Sequence, residues 1–386
     1  MIDTACRSCG GAVGTVVLDL GQQPASDFFP EVTDPGPDAV YPLEMWLCSA
    51  CGLAQLAADP TVPAEPRGAE PAALVAQAAD AINRVHAAGL LPAGATVAEY
   101  GSPHGGSWLG LAAERGLKLV SDAGPADVII DCFGMMHAAD QRAALAARAA
   151  RLTSGGVLLL QYHSLETIIH DGQWNALRHG HYAYYSTTAL ARMLAEHGLC
   201  PRTAWRFDLY GGTVLLAASP LDDGCTQADA AVHSLLDSEA RTGVTDPAVV
   251  SGLQREMERR AVGLRDWLAG ERTLGRTVLG YGAASRAVPL LHQAGIDSGL
   301  LPGIIDASPA KRGLRMPGTG IPVLDTAVLR STPPDSVLLF VADLLTEVRA
   351  DFPEVEAAGG RWVVADGIGS GHRPASDGLQ DEAKAL

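Results

Sequence analysis

Residues 96–122 read TVAEYGSPHGGSWLGLAAERGLKLVSD, and their order decides the fold. TVAEY predicts a strand, GSPHGG a glycine-rich turn, SWLGLAAERG a short helix and LKLVSD a second strand, which is the opening of a nucleotide-binding βαβ unit. Downstream, ADVIIDCF (126–133) predicts a further strand, QRAALAARAARLTSGG (141–156) a helix ended by glycines, and VLLLQYH (157–163) another strand. Strands alternating with helices of this length imply a parallel sheet covered on both faces. A helix over STTALARMLAEHGL (186–199) and a hairpin over AWRFDLYGGTVLLAAS (204–219) complete the unit, and PAALVAQAADAINRVHAAGL (71–90) carries helical periodicity ahead of it.

A second α/β unit begins at RTVLGYGAASRAVPLLHQAG (276–295), continues through LLPGIIDASPAKRG (300–313) and SVLLFVADL (336–344), and closes with GRWVVADG (360–367). At the other end, Cys6 and Cys9 form one C-x-x-C pair and Cys48 and Cys51 another, with 38 residues between the pairs. Each such turn aims two thiolates at one point, and together they supply the four sulfurs of a closed structural zinc site. Cys132, Cys200 and Cys225 stand singly and read as inert thiols. The fold class is therefore α/β, a small zinc-binding N-terminal module followed by two Rossmann-like parallel-sheet domains. The expected boundaries are 1–60 for the zinc module, 72–218 for the first α/β domain, 229–272 for a helical connector, 273–368 for the second α/β domain and 369–386 for a polar, disordered tail. DPTVPAEPRGAEP (59–71) reads as the linker after the zinc module.

At 386 residues the chain exceeds what one core usually supports. Its formal net charge of −16 offers no sequence-independent footing on nucleic acid or an anionic membrane. The longest apolar runs are strand-sized, well below the roughly 20 residues of a membrane span. The start, MIDTACRSCGG, lacks the basic and apolar regions of an export signal, so a cytoplasmic location is expected.

CRSCG (6–10), LGQQPASDFF (20–29) and PLEMWLCSACGLAQL (42–56) resemble the zinc-binding start of nucleotide-sugar C-methyltransferases. The likeness continues in EYGSPHGG (99–106), HGHYAYYSTTAL (179–190), GYGAASR (280–286), IDASPAKRG (305–313) and MPGTGIPV (316–323), and so spans nearly the whole chain. It implies enzymes that methylate nucleotide-linked 4-keto deoxysugars from S-adenosylmethionine, with a zinc module, a methyl-donor domain and a C-terminal domain that helps to hold the nucleotide sugar. RHGHYAYYS (178–186) resembles that family's Y-H-E-H-x-x-Y-F-S segment, with His181 at the general-base position and His179 at the earlier histidine, while Arg178 and Gly180 replace the tyrosine and the glutamate. A histidine suits removal of a proton beside a ketone, since its ordinary pKa near 6.5 leaves it basic at neutral pH. Tyr182, Tyr185, His179 and Arg178 are the candidates to stabilise the resulting enolate.

The donor's amino-acid end is expected at Glu99, Gly101, Gly105 and Gly106, with Asp122, 21 positions after Gly101, on the ribose hydroxyls. His163, Glu166 and His170 follow a strand's carboxyl end, where such sheets face their ligand. In the second α/β unit Tyr281, Ser285, Arg286 and Lys311 are expected on the nucleotide sugar, with Arg312 as a further diphosphate donor, and Asp306 stands 24 positions after Gly282 as in a dinucleotide fingerprint. The partners implied are thus zinc, S-adenosylmethionine and a small nucleotide-sugar substrate, with no nucleic acid and no membrane. The chain departs from the family after Asp122, where only four residues precede Asp127 and a helix and strand are missing, and at His104, which replaces an acidic residue. Three readings follow: a C-methyltransferase acting on a keto-deoxysugar, a donor-free isomerase, epimerase or lyase on an activated sugar, and a non-catalytic nucleotide-sugar-binding relative.

Overall fold

The computed structural model describes residues 4–61, 70–102, 106–120, 124–221 and 228–369. Gly105, Asp122, Cys225, most of the 59–71 linker and the tail beyond Gly369 lie outside the described residues. In the first sheet β1 (Gly14–Pro24) pairs antiparallel with β2 (Val40–Cys48), which pairs antiparallel with β3 (Ala54–Leu56). The second sheet opens with β4 (Thr96–Tyr100), β5 (Lys118–Leu119), β6 (Ala126–Cys132) and β7 (Leu152–His163), all parallel. Next in the chain, β8 (Ala183–Tyr184) leaves that sheet and adds to β3, so the first sheet has the order β1-β2-β3-β8. The hairpin β9 (Leu199–Phe207) and β10 (Thr213–Pro220) returns to the second sheet as two antiparallel strands, giving β5-β4-β6-β7-β10-β9. No strand lies beyond β5 among the described residues, which matches the short stretch after Asp122. The third sheet is wholly parallel, built from β11 (Val278–Tyr281), β12 (Ile304–Ile305), β13 (Val323–Leu324), β14 (Ser336–Leu339) and β15 (Arg361–Val364) in the order β13-β12-β11-β14-β15.

Strand order reverses beside β4 in the second sheet and beside β11 in the third. Chains diverging from such a point leave a crevice at the strands' carboxyl ends. The helices between the sheets start on side-chain caps: Asp229 accepts from the N–H groups of Ala231 and Val232, and Asp246 from that of Ala248. Such caps stabilise a helix by about 1 kcal/mol each. In the helix Gly252–Thr273, Leu253, Met257, Ala261, Leu264 and Leu268 recur at three- and four-residue steps and form its buried face.

That face meets the zinc module. Leu18, Leu43, Met45 and Leu47 of β1 and β2 share one core with Leu264, Leu268, Val288 and Ile304 of the C-terminal region. The other side of the module, with Trp46, Cys48 and Cys51, shares a second core with Leu160 of β7, Tyr185 just past β8 and Met193 of the helix Thr187–Glu196. The module is therefore wedged between the two α/β units. Polar contacts add to this: Arg315 holds Asp38 through two charge-assisted bonds of 2.6 and 2.7 Å, and Gln254 accepts from the Asp19 N–H at 2.9 Å. Cys200 is disulfide-bonded, which corrects the expectation of a free thiol, whereas Cys132 is free. Among the described residues no helix is long and apolar enough to cross a membrane.

Candidate active site

The Sγ atoms of Cys6, Cys9, Cys48 and Cys51 lie within 4.8 Å of one another, with Cys6 and Cys51 at 3.5 Å and Cys9 and Cys48 at 3.7 Å. Four sulfurs about 2.3 Å from one tetrahedral ion stand about 3.8 Å apart, so the set fits zinc. Without a cation the thiols share protons: the hydrogen bond from Cys51 pulls Cys6 down to about 5, and Cys51 itself is raised. A dication resolves that arrangement by taking all four as thiolates. The Gly11 N–H donates to Cys9 Sγ at 3.4 Å, a bond that orients the ligand.

A cleft of about 290 Å³ opens where the carboxyl ends of β4, β6 and β11 face one another. The crevices of both α/β units thus form one chamber. One wall is the segment 178–185, whose backbone is held from three sides. The Gly180 N–H donates to Asp59 Oδ2 at 2.6 Å, the Gly180 carbonyl accepts from His137 Nδ1 at 2.9 Å, and the Tyr182 N–H donates to the Met136 carbonyl at 2.8 Å. Gly180 sits at φ +80°, and a Cβ there would fall 2.8 Å from Asp27 Oδ2, so neither the conformation nor the space accommodates the family's glutamate.

His181 is 6% exposed and lines the cleft. Its Nε2 accepts from Arg178 Nε at 2.9 Å. A guanidinium only donates, so the ring is held with a lone pair on Nε2 and its proton on Nδ1. The ring of His137 stands edge-on to it, 4.6 Å between centroids, and also lines the cleft. Because the Gly180 carbonyl takes the Nδ1–H of His137, the neutral form of that ring has its lone pair on Nε2 as well. Of the four enolate-stabilising candidates, Arg178 and Tyr185 line the cleft. Tyr185 donates its hydroxyl to Gln141 Oε1. His179 and Tyr182 do not line it. Nε2 of His179 bonds the Pro42 carbonyl at 3.3 Å, and Tyr182 lies under the Arg7 guanidinium, 4.8 Å from ring centroid to Cζ. Both belong to the interface with the zinc module.

Around β4, Ser102, Gly106 and Trp108 line the cleft. Glu99 does not: its two oxygens accept from the Trp108 N–H at 2.7 Å and the Ser107 hydroxyl at 2.6 Å, so it shapes the turn. Gly101 also stays outside the lining. Past β7, His163 lines the cleft, whereas Glu166 bonds Arg206 and Thr242 at 3.2 Å each, and exposed His170 pairs with Asp171 at 2.7 Å. From the C-terminal unit Tyr281, Ser285, Arg286 and Lys311 reach the cleft. Lys311 is committed internally, donating to the Ala283 carbonyl at 2.6 Å and standing 3.9 Å from Asp306. Asp306 accepts from the N–H groups of Ala283 and Ser308, both at 2.8 Å, and so organises its own turn in place of a ribose. Arg312 is exposed and pairs with Asp325 at 2.9 Å.

Sequence reasoning missed His137, Phe133 and Tyr210, all on the cleft wall. Their positions just past the end of β6 and before β10 were the available signal. Phe133 and Tyr210 are the two non-glycine residues with positive φ among the described residues, at 60° and 56°, and their rings touch at 5.8 Å. Aromatic residues held in that conformation are strained, and strain of this kind collects at ligand sites. The turn bearing Phe133 and His137 is fixed from beneath: buried Asp131 pairs with Arg148 and accepts from the N–H groups of Gly134 and Met135 at 2.8 and 3.0 Å.

His163 is pushed down to about 3, chiefly by burial and then by the charges of Arg286 and Arg178. His179 and His292 are lowered by burial too. A histidine whose folded pKa is depressed takes its proton in the unfolded chain first, so its contribution is intact above about 6.5 and is lost as the pH falls toward the folded pKa. Stability is expected to decline between about pH 6.5 and 4, by up to about 1.4 kcal/mol per pH unit for each such histidine. Urea unfolding across that range checks it, and His163→Phe should flatten the slope.

Residues 6–65 match the family model described as "Putative zinc binding domain", 115–202 that of "Methyltransferase domain" and 208–365 that of "C-methyltransferase C-terminal domain". The C-methyltransferase NovU of Streptomyces niveus is 25% identical over 257 residues, 66% of this chain and 60% of the relative. The chain therefore spans less than two thirds of that relative's length. Solved structures with some likeness include an O-methyltransferase family protein of Burkholderia thailandensis (15% identity, 38% of this chain and 57% of that one, TM-score 0.30). Another is the magnesium protoporphyrin IX methyltransferase of Synechocystis PCC 6803 with bound SAH (12%, 38% and 84%, TM-score 0.28).

Proposed function

We propose, for a chain that belongs to the C-methyltransferase family through its zinc-binding, methyltransferase and C-terminal domains, that it methylates a carbon beside the ketone of a small nucleotide-linked keto-deoxysugar. The observation that carries the reading is the neutral His181 imidazole, buried on the wall of a cleft shared by both α/β units, with a guanidinium on its lone pair. Arg178 leaves His181 Nε2 to meet the ketone oxygen of the bound acceptor, and the lone pair this frees takes the proton from the carbon while the guanidinium opposes the negative charge that develops on the oxygen. His137 holds the 178–181 backbone through Gly180 and presents its Nε2 lone pair to the same wall, a second place for the proton.

S-adenosylmethionine, when bound, supplies the electrophilic methyl group. Ser102, Gly106, Trp108 and Cys132, at the ends of β4 and β6, are the residues placed to hold it. The zinc of the cysteine tetrad is structural, since all four tetrahedral positions are filled by protein sulfur. The nucleotide end of the substrate falls to Tyr281 and Ser285 across the cleft.

One observation favours a second reading, a donor-free isomerase, epimerase or lyase: the sheet passes from the two-residue β5 to β6 with no further strand among the described residues, which shortens the wall beside the donor. Titration calorimetry with S-adenosylmethionine and its demethylated product separates the two. Micromolar binding, together with a product heavier by one methylene in mass spectrometry, supports methyl transfer. Absence of heat at millimolar donor together with epimerised or rearranged product overturns it in favour of the second reading.

A further inference from the structure

The cleft wall beside His181 holds more positive charge than the proposed neutral carbon acid requires. Arg178 stands where the resembling family has a tyrosine. Its side chain makes one hydrogen bond, to His181 Nε2, and no carboxylate lies within ion-pair distance of it among the described residues. Opposite, Arg286 of the C-terminal unit has a side chain 12% exposed, its nearest carboxylate, Asp366, is 3.8 Å away, and its buried Nε–H has no hydrogen-bond partner. Both guanidinia line the same cleft as His163 and Tyr210. His163 is uncharged at neutral pH, and its buried Nε2 is likewise without a hydrogen-bond partner. Three carboxylates line the cleft among the described residues: Asp306 binds the Ala283 N–H, Glu347 the Ala72 N–H at 3.1 Å, and Glu70 stands beside Gly106 at the β4 end.

Two cations converging on a mostly dry wall, with donor atoms left unmatched, are a binding surface for an oxyanion. The overall charge of −16 repels anions at long range, so an anion is held only where local cations outweigh that field. We propose that Arg178 and Arg286 form an oxyanion site astride His163, and that the methyl acceptor carries a carboxylate or phosphate next to the carbon that His181 deprotonates. This inference rests on the reading of His181 as base and deepens it by naming the acceptor's charge. A planar guanidinium accommodates the anionic group and the neighbouring carbonyl oxygen side by side, which also biases the carbon acid toward its enolate.

The test is titration calorimetry of the full-length protein with three probes: 2-oxobutyrate, pyrophosphate and the neutral ketone 2-butanone. At least one anion is expected to bind ten-fold or more tightly than the ketone, with an affinity that falls as salt is raised. Preference for 2-oxobutyrate identifies a carboxylate, and preference for pyrophosphate a phosphate. Arg178→Gln and Arg286→Gln should each weaken the anion at least ten-fold. Arg178→Lys should keep part of the affinity, and exposed Arg330→Gln should change nothing. Thermal unfolding shows which variants are folded, and if Arg178→Gln is not, Arg178→Lys and Arg286→Gln carry the comparison. Anion binding no tighter than that of the ketone, or unchanged in folded Arg178 and Arg286 variants, overturns the site. Methyl transfer to a neutral ketone, undiminished in Arg178→Gln, also sinks this site while leaving the proposed function standing. Anion binding without any methyl transfer does the reverse.

Discussion

His181→Ala is expected to slow methyl transfer by on the order of 10²–10⁴-fold, the usual contribution of a positioned base, while KM for the acceptor changes little. The split follows from the geometry. Tyr185, held by Gln141, and Arg286 of the C-terminal unit line the cleft apart from the imidazole, so binding survives, whereas no other lone pair is held against the Arg178 guanidinium. The histidine is buried, and its loss leaves a hole beside Arg178, so His181→Gln is the companion variant that refills the space with a group of negligible basicity. Both should be comparably slow. If the alanine variant is slow and the glutamine variant normal, the ring serves packing, and the proton assignment is wrong.

Removing the metal is expected to have a second large effect, in two places at once. Structural zinc in small modules is held by about 10–16 kcal/mol of apparent binding free energy, which is also folding free energy. Here the loss spreads, because the module supplies Leu18, Leu43 and Met45 to the core of the C-terminal unit and Trp46, Cys48 and Cys51 to that of the second sheet. It also carries β3, which pairs with β8 next to His181, and Asp59, which anchors the Gly180 N–H. A chelator strong enough to strip zinc should therefore lower the unfolding temperature by ten degrees or more and abolish turnover, and added zinc should restore both. Cys51→Ser should reproduce the loss. Zinc content by mass spectrometry beside thermal unfolding checks it, and an unchanged midpoint in metal-free protein contradicts the wedge.

The zinc tetrad and the order of the two α/β units were legible because their signals are local. Two C-x-x-C turns and strand–glycine turn–helix runs state their geometry within a few residues. The cleft was less so. His179 and His181 share a nine-residue segment and equal chemistry, yet one ends against Pro42 and the other in the cleft. Residues two apart in an extended chain share a side, and the left-handed Gly180 between them removes that regularity. The two-residue strand β8 has no periodicity to read, so its desertion of the second sheet for the zinc module could not be anticipated. Glu99 and Lys311 were assigned to ligands on position alone, and both are spent on nearby N–H or carbonyl groups. His137, Phe133 and Tyr210 gave no motif; what places them is the end of a strand and a backbone conformation that only three dimensions display.

The central claim is that this chain ionises a C–H bond in the shared cleft, and exchange of that hydrogen with solvent measures it most directly. The protein is incubated in deuterated water with a nucleotide-linked keto sugar and no methyl donor, and the acceptor is followed by proton NMR. Loss of the signal from the position beside the ketone, at a rate that collapses in His181→Ala, is the predicted result. A signal that persists in the wild-type protein, or that fades equally fast in the variant, contradicts the account.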